Sequence, residues 1–439
     1  MSAISRFPLA RLMTASGFSN LADGMLRAAL PLAALRLTSS PALIAGLSFA
    51  LSLPWLVVTL PAGALIDRWD RRVTMLVANT VRGGALGLVV AGVAFGPESI
   101  WVLYAGAVLI GTAEVFYDTT AQSILPQVVP RDRLQGANGR LFALETTAHS
   151  FVGPPLGGVL AAVGIGLALG VPVALWVVAV LVLSTLRGTF RVERKTTTSL
   201  RGDVAEGLRF LWQQRVLRTL ATSVGLSNLG WAASSSVWVL WAVGPSSTLG
   251  LNEAQYGVLL TALAIGSVTG SLVANQMAKR IGRTASLMTA MAASAIGLAA
   301  PLLTTNPVVI GALFAVSGVG MALWNVIAVS LRQRLTPDRL LGRLNSAYRL
   351  LAWGTAPIGA ALGGALGEAF GIKVVFVVGT ALTLAVIGLV VRLTPARLAA
   401  AEAAVDEPLV ERAASGEVGP AGLEPTTSAV EARHFATSD

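Results

Sequence analysis

Apolar stretches of about 20 residues, the length that crosses a bilayer as a helix, recur along nearly all of this 439-residue chain. They fall at 11–35, 42–66, 73–95, 99–124, 138–162, 165–186, 217–243, 254–277, 284–304, 307–331, 344–369 and 372–393, twelve in all. Hydrocarbon offers no partner to a backbone N–H or C=O, so a crossing segment must be a helix or part of a closed barrel. These runs are continuous rather than alternating, which excludes the barrel. The expectation is an all-α membrane protein of twelve transmembrane helices. Composition agrees: 12% of the residues are charged, against about 25% in a soluble domain.

The same composition removes several chemistries. Cysteine is absent, which excludes disulfide scaffolds and cysteine-held metals, and the two histidines, His149 and His434, are too few for a histidine metal site. No Gly-Lys pair exists, so there is no phosphate-binding P-loop. Neither a metal nor a cofactor is expected, and the chain reads as a non-enzyme. The net charge of +10 does not mark a nucleic-acid binder, because the basic residues fall in short loops between apolar runs.

Those loops set an orientation. Arg68, Arg71, Arg72, Arg131, Arg133, the whole 187–216 segment, Lys279, Arg280, Arg283, Arg332, Arg334, Arg339 and Arg343 fall on one side, and only Arg36 and Lys373 on the other. Positive loops stay in the cytoplasm, so both termini are expected there, in a multi-pass protein of the bacterial cytoplasmic membrane. The segment 187–216 separates residues 1–186 from 217–395, six spans each. Its stretch from Asp203 to Arg218 has Val204, Leu208 and Leu211 on one side, which reads either as a helix lying on the inner membrane surface or as a simple linker. Residues 396–439, rich in Ala, Glu, Pro, Thr and Ser without apolar periodicity, are expected to be a disordered tail.

The two halves repeat each other. Gly17-Phe-Ser-Asn20-Leu returns as Gly225-Leu-Ser-Asn228-Leu, Gly63-Ala-Leu as Gly270-Ser-Leu, Asp132-Arg-Leu as Asp338-Arg-Leu, and Leu156-Gly157-Gly158 as Leu362-Gly363-Gly364, with offsets of 206 to 208 residues. Two six-span repeats in the same orientation describe a secondary transporter with its site between them.

Two motifs carry a resemblance. The loop after the second span reads Gly63-Ala-Leu-Ile-Asp67-Arg68-Trp-Asp-Arg71-Arg72. It resembles the Gly-x-Leu-x-Asp-Arg-x-x-Arg-Arg signature of the major facilitator superfamily. The resemblance implies a gating loop whose charges latch one of two rocking states; an anchor for the third span is the plainer reading. In the fifth span, Gly153-Pro154-Pro-Leu-Gly157-Gly158 resembles the core of the motif associated with antiporters in that superfamily. The glycines let a neighbouring helix approach, and proline bends the helix. With Asn20-Leu-Ala-Asp23-Gly24 and Glu114-Val-Phe-Tyr-Asp118, the chain resembles the branch of proton-coupled exporters related to macrolide and enterobactin efflux proteins, over about residues 5–395. That branch often has an acid near the start of the third span, where this chain has Asn79, with Arg82 nearby.

Ionisable residues within the spans mark function, because each costs about 2.5–3.5 kcal/mol to insert. Asp23/Arg27, Glu114/Asp118 and Glu145/His149 are each four residues apart, on one helix face. All six are candidates for proton coupling, since a carboxyl in low dielectric holds its proton more tightly. Asp23–Arg27 reads as a switchable ion pair, or as a static one that merely joins helices. The second half is neutral at the matching positions. With Asn20 it offers Asn228, Trp231, Trp238, Trp324, Asn325 and Trp353 for a substrate cavity. The expected function is proton-driven export of a hydrophobic or amphipathic small molecule by alternating access. An uncoupled facilitator or lipid flippase is the alternative within transport, and a membrane-embedded enzyme on lipid-linked substrates the alternative outside it. The expected partners are a small-molecule substrate, protons and the bilayer, with no nucleic acid, in a monomer.

Overall fold

The computed structural model describes residues 6–66, 69–95, 99–130, 133–188, 190 and 200–406. The first half contains α1 (Arg6–Leu37), α2 (Pro41–Val57), α3 (Thr59–Ile66), α4 (Arg71–Phe95), α5 (Ile100–Val128), α6 (Leu134–Thr146), a π-helical turn at Thr147–Val152, α7 (Gly153–Val163) and α8 (Ile165–Ser184). A connector helix, α9 (Leu200–Gln213), leads to α10 (Arg215–Ala242), α11 (Glu253–Ile281), α12 (Arg283–Leu303), α13 (Pro307–Arg334), α14 (Asp338–Phe370) and α15 (Ile372–Val390). A last helix, α16, covers Pro395–Asp406.

Every expected span is helical. Eight are single helices long and apolar enough to cross a membrane, among the described residues. The other four depart for local reasons. Pro61 has no N–H to give the carbonyl of Val57, and α2 breaks there from α3. Pro154 and Pro155 withhold the donors that Ser150 and Phe151 would use, and the helix widens to a π turn before resuming as α7. Helix α1 is diluted by its charges, and α10 by the serines at 223, 227 and 234–236. Helix starts are capped where the sequence supplies acceptors: Ser40 caps α2, Asn252 and Gln255 form a capping box on α11, and Asn306 caps α13. The one-residue links Gly282 and Gly371 have φ of 83° and 85°, a left-handed backbone that glycine adopts without steric cost.

Two expectations are corrected. The amphipathic stretch is not 203–218: the helix ends at Gln213, and Arg215 and Arg218 begin α10. Gly207 lies on the backbone of Arg343, the Glu206 carboxylate pairs with Arg343, and Leu211 is fully buried, so α9 is docked on α14. The expected disordered tail opens as helix α16, held by buried Leu398 and by Glu402, which pairs with Arg283 at 2.5 Å and Arg334 at 4.0 Å. The rest of that tail, beyond 406, lies outside the described residues.

The repeats explain the glycines. In α7, a Cβ on Gly157 would lie 2.3 Å from the Met25 carbonyl of α1, and one on Gly158 would lie 2.4 Å from the Glu253 carbonyl of α11. In α14, a Cβ on Gly363 would lie 2.3 Å from the Ala233 carbonyl of α10, and one on Gly364 would lie 3.2 Å from the Ala42 Cα of α2. Each pair therefore seats its helix on the first helix of its own half and on the second helix of the other half. Helices in lipid associate through such close approach, and these two seams join the halves.

Overpacking a tight contact costs about 1–3 kcal/mol. Gly158→Leu should therefore lower the unfolding temperature of the purified protein, while Gly170→Ala, where a Cβ meets nothing within 4 Å, should leave it unchanged. Thermal unfolding followed by tryptophan emission checks both.

Candidate functional site

The most buried charge is Arg82 of α4, whose side chain has no exposed surface. Its Nη1 donates to Asp23 Oδ2 at 3.2 Å, to Ser19 Oγ at 3.2 Å and to Asn79 Oδ1 at 3.5 Å. Ser19 Oγ in turn donates to Asn79 Oδ1 at 3.1 Å. The guanidinium lies 4.9 Å from the Tyr117 ring centroid and 5.8 Å from that of Trp176, both within cation–π range. Asn79 thus keeps a hydrogen-bonding place in the network without adding charge. The sequence pointed to Asp23–Arg27 as the ion pair. The pair that forms is Asp23–Arg82: α4 packs on α5 and α8, and the long Arg82 side chain reaches Asp23 of α1, while the Arg27 side chain opens into a cavity.

Around this pair the remaining predicted charges converge. Glu114 lies within electrostatic reach of Asp23, Asp118, Arg82 and Arg27, and Asp118 faces Asp23, Arg82, Glu145 and Arg349 of α14. His149 sits on the π turn, near Arg27 and Arg82, with its carbonyl against Gly24. All six predicted coupling residues therefore share one region of the first half. Sequence reasoning missed Ser19, Arg82, Tyr117 and Trp176 as members. An arginine inside an apolar span was the available signal, but it had no acid one turn away to draw attention to it.

A cavity of about 360 Å³ lies between the halves. The first half contributes Arg27, Ser48 and Ser150, and the second Trp231, Trp238 and Tyr256. Among the residues expected to line it, Trp231 and Trp238 do so and Asn20, Asn228, Trp324, Asn325 and Trp353 do not. Asn20 donates to the Ser16 carbonyl at 3.0 Å, and Asn228 to the Ala352 carbonyl at 2.6 Å, so both amides serve their helices. Trp324 is buried in the second-half core, Asn325 is exposed away from the cavity, and Trp353 packs on Trp55 with ring centroids 6.1 Å apart. The deepest aromatic wall comes instead from Trp238, set against Phe314 at 5.1 Å and Phe376 at 5.8 Å.

Of the expected gating loop, Gly63 ends up within α3, and Asp67 and Arg68 lie outside the described residues. The neighbouring Asp70 caps α4 through Val73 N–H at 3.1 Å and takes Phe190 N–H at 2.6 Å. Arg71 is buried, its N–H bonded to the Phe190 carbonyl at 3.1 Å. Arg72 donates to the carbonyls of Leu183 at 3.1 Å and Ser184 at 2.6 Å, where cations favour the negative end of α8. Arg72 is thus an intra-half clamp. In the second motif, Gly153 and Gly157 seat α7 on α1, Pro154 lines the cavity, and Gly158 reaches the other half.

A family of major facilitators described as transmembrane secretion effectors has a model that matches residues 4–432. The chain belongs to that family. This facilitator is 30% identical over 407 residues to the multidrug efflux pump Tap of Mycobacterium tuberculosis, covering 88% of this chain and 92% of Tap. It is 29% identical over 314 residues to the enterobactin exporter EntS of Salmonella typhimurium, covering 70% and 72%. Its fold matches the crystal structure of a bacterial homologue of the iron transporter ferroportin, with a TM-score of 0.71 at 18% identity, over 89% of this chain and 99% of that one. It is a multi-pass membrane transporter and not an enzyme.

Removing one member of a buried pair costs about 3–5 kcal/mol, because the other charge is left uncompensated. Asp23→Asn should therefore destabilise this facilitator strongly, and adding Arg82→Gln should restore most of the loss without restoring transport. Thermal unfolding and vesicle transport of the single and double variants separate the two effects.

Proposed function

We propose that this transporter exports a hydrophobic or amphipathic small molecule from the bacterial cytosol in exchange for protons, by alternating access. The observation that carries the reading is the split between cavity and charge. An apolar, aromatic chamber lies between the halves, and the first-half carboxylates lie off the chamber wall, with Glu114 within electrostatic reach of Arg27. Substrate and proton then occupy different groups that share one cation. The exporter names of Tap and EntS support the direction.

The state described is inward-facing in this reading. Cross-half contacts at the end away from the connector are Arg36 with Glu253 at 3.7 Å, Ser40 Oγ with Glu368 Oε2 at 2.7 Å, and the Gly158 and Gly364 seams, and the α2–α14 seam continues to Trp55 and Trp353. At the connector end, the ion pairs of Glu206 and Glu402 and the backbone clamps of Arg11 and Arg72 each stay with one half. Rocking about the two glycine seams would open the first end and close the second. The basic loops support a cytoplasmic connector and termini.

Efflux of a dye and antibiotic panel from expressing cells should stop when a protonophore collapses the gradient; efflux that continues would make the protein an uncoupled facilitator. In proteoliposomes, Glu114→Gln and Asp118→Asn should abolish substrate-induced proton movement while downhill substrate exchange remains. Proton exchange at the parental ratio in both variants would move coupling to Glu145 and His149.

Sidedness has its own check in this cysteine-free chain. A cysteine at Ser247 should react with an impermeant reagent added outside intact cells, and one at Thr197 should not.

A further inference from the structure

We propose that the cavity selects amphiphiles with an anionic head on an aromatic or apolar body, and that Arg27 receives the head. This rests on the export reading and names the substrate class for it. Arg27 lies deep in the bundle yet its side chain is exposed, because it opens into the cavity. It makes no hydrogen bond or ion pair within the described residues, although a guanidinium carries five donors and a charge that is costly to leave alone in a membrane interior.

The rest of the lining repeats that bias. Trp238 is 5% exposed, its Nε1–H has no hydrogen-bond partner, and an indole can only donate. Ser234, 4% exposed, lines the same wall with its hydroxyl unpartnered. Tyr256 brings a phenol from the second half to within electrostatic reach of Arg27. Among the described lining residues there is no carboxylate. Buried donors left without acceptors are costly, and ligand oxygens inside this cavity would find acceptor-seeking groups at Arg27 and on the second-half wall. A cationic drug would meet a like charge at Arg27 and find no lining carboxylate to receive it.

The groups around Arg27 also say what the anion displaces. Glu114 and His149 lie near it in the first half and Tyr256 in the second. Of these only Glu114 is an acid, and it too is without a hydrogen-bond partner in the described residues. An anionic head at Arg27 therefore competes with Glu114 for one counter-charge, which ties substrate occupancy to the coupling region without direct contact between substrate and carboxylate.

The test uses two fluorescent probes that share a scaffold. The anionic probe, 1-anilinonaphthalene-8-sulfonate, differs from neutral N-phenyl-1-naphthylamine only by the sulfonate. Binding to the full-length protein in nanodiscs is followed by energy transfer from tryptophan, with empty nanodiscs subtracted. The anionic probe should bind at least tenfold more tightly than the neutral one. Arg27→Gln should remove that advantage and leave the neutral probe within twofold, which also shows that the variant is folded. Arg27→Lys should keep most of it. Equal binding of the two probes, no binding of either, or an unchanged preference in Arg27→Gln would overturn the inference. Transport of the same probes, with ethidium as a cationic third, is measured in proteoliposomes. Export of ethidium but not of the sulfonate would also overturn the inference while leaving the export reading intact. Arg27-dependent binding with transport of none would sink the export reading and leave the selectivity standing.

Discussion

Helices in hydrocarbon gain nothing from hiding apolar surface from one another, so what holds this bundle together is how closely backbones can approach. The glycines of α7 and α14 set that distance. At Gly157 and Gly363 a methyl group would collide with a carbonyl of the helix that opens the same half, and at Gly158 and Gly364 with the second helix of the opposite half. A seam made of small residues is tight without being interlocked by long side chains. It can hold two bodies in register and still let them tilt. The cavity, the charge cluster and the contacts at one end all take their positions from these two seams.

Within that frame the first half concentrates its electrostatic strain in one place. Arg82 is wholly buried and is tolerated because Asp23, Ser19 and Asn79 accept from it and two aromatic rings cover it. Arg27 is the complementary case, a cation with Glu114 nearby but without a bonded partner in the described residues, facing an apolar chamber. One arginine is bonded within the first half and the other lines the cavity. Their acids, Asp23 and Glu114, feel each other's charge, so a change at either arginine reaches the other.

The surface of the second half is reinforced in a different way. The connector helix α9 rides on α14, and the helix that follows α15 places Glu402 between Arg283 and Arg334. Among the described residues these ion pairs tie both appendages to the second half.

The sequence by itself determined the helical type and the order of the spans, because a bilayer leaves the backbone one solution and apolar runs are local signals. It also suggested the twofold plan, through repeats at a nearly constant offset, and paired Glu114 with Asp118 and Glu145 with His149 on single helix faces, through their four-residue spacing; that these faces converge was decided by the tertiary structure. What only the tertiary structure decided is which groups meet. Asp23 had Arg27 one turn away and Arg82 fifty-nine residues on; helix periodicity placed the first on the same face, but the placement of α4 against α5 and α8 brought the second within reach. Trp231 and Trp238 reached the cavity while Asn228, Trp324 and Trp353 turned to helix and core. Periodicity tells which side of a helix is apolar or polar, whereas in a bundle of twelve the neighbour on that side is set by how deeply the glycine seams let the helices close.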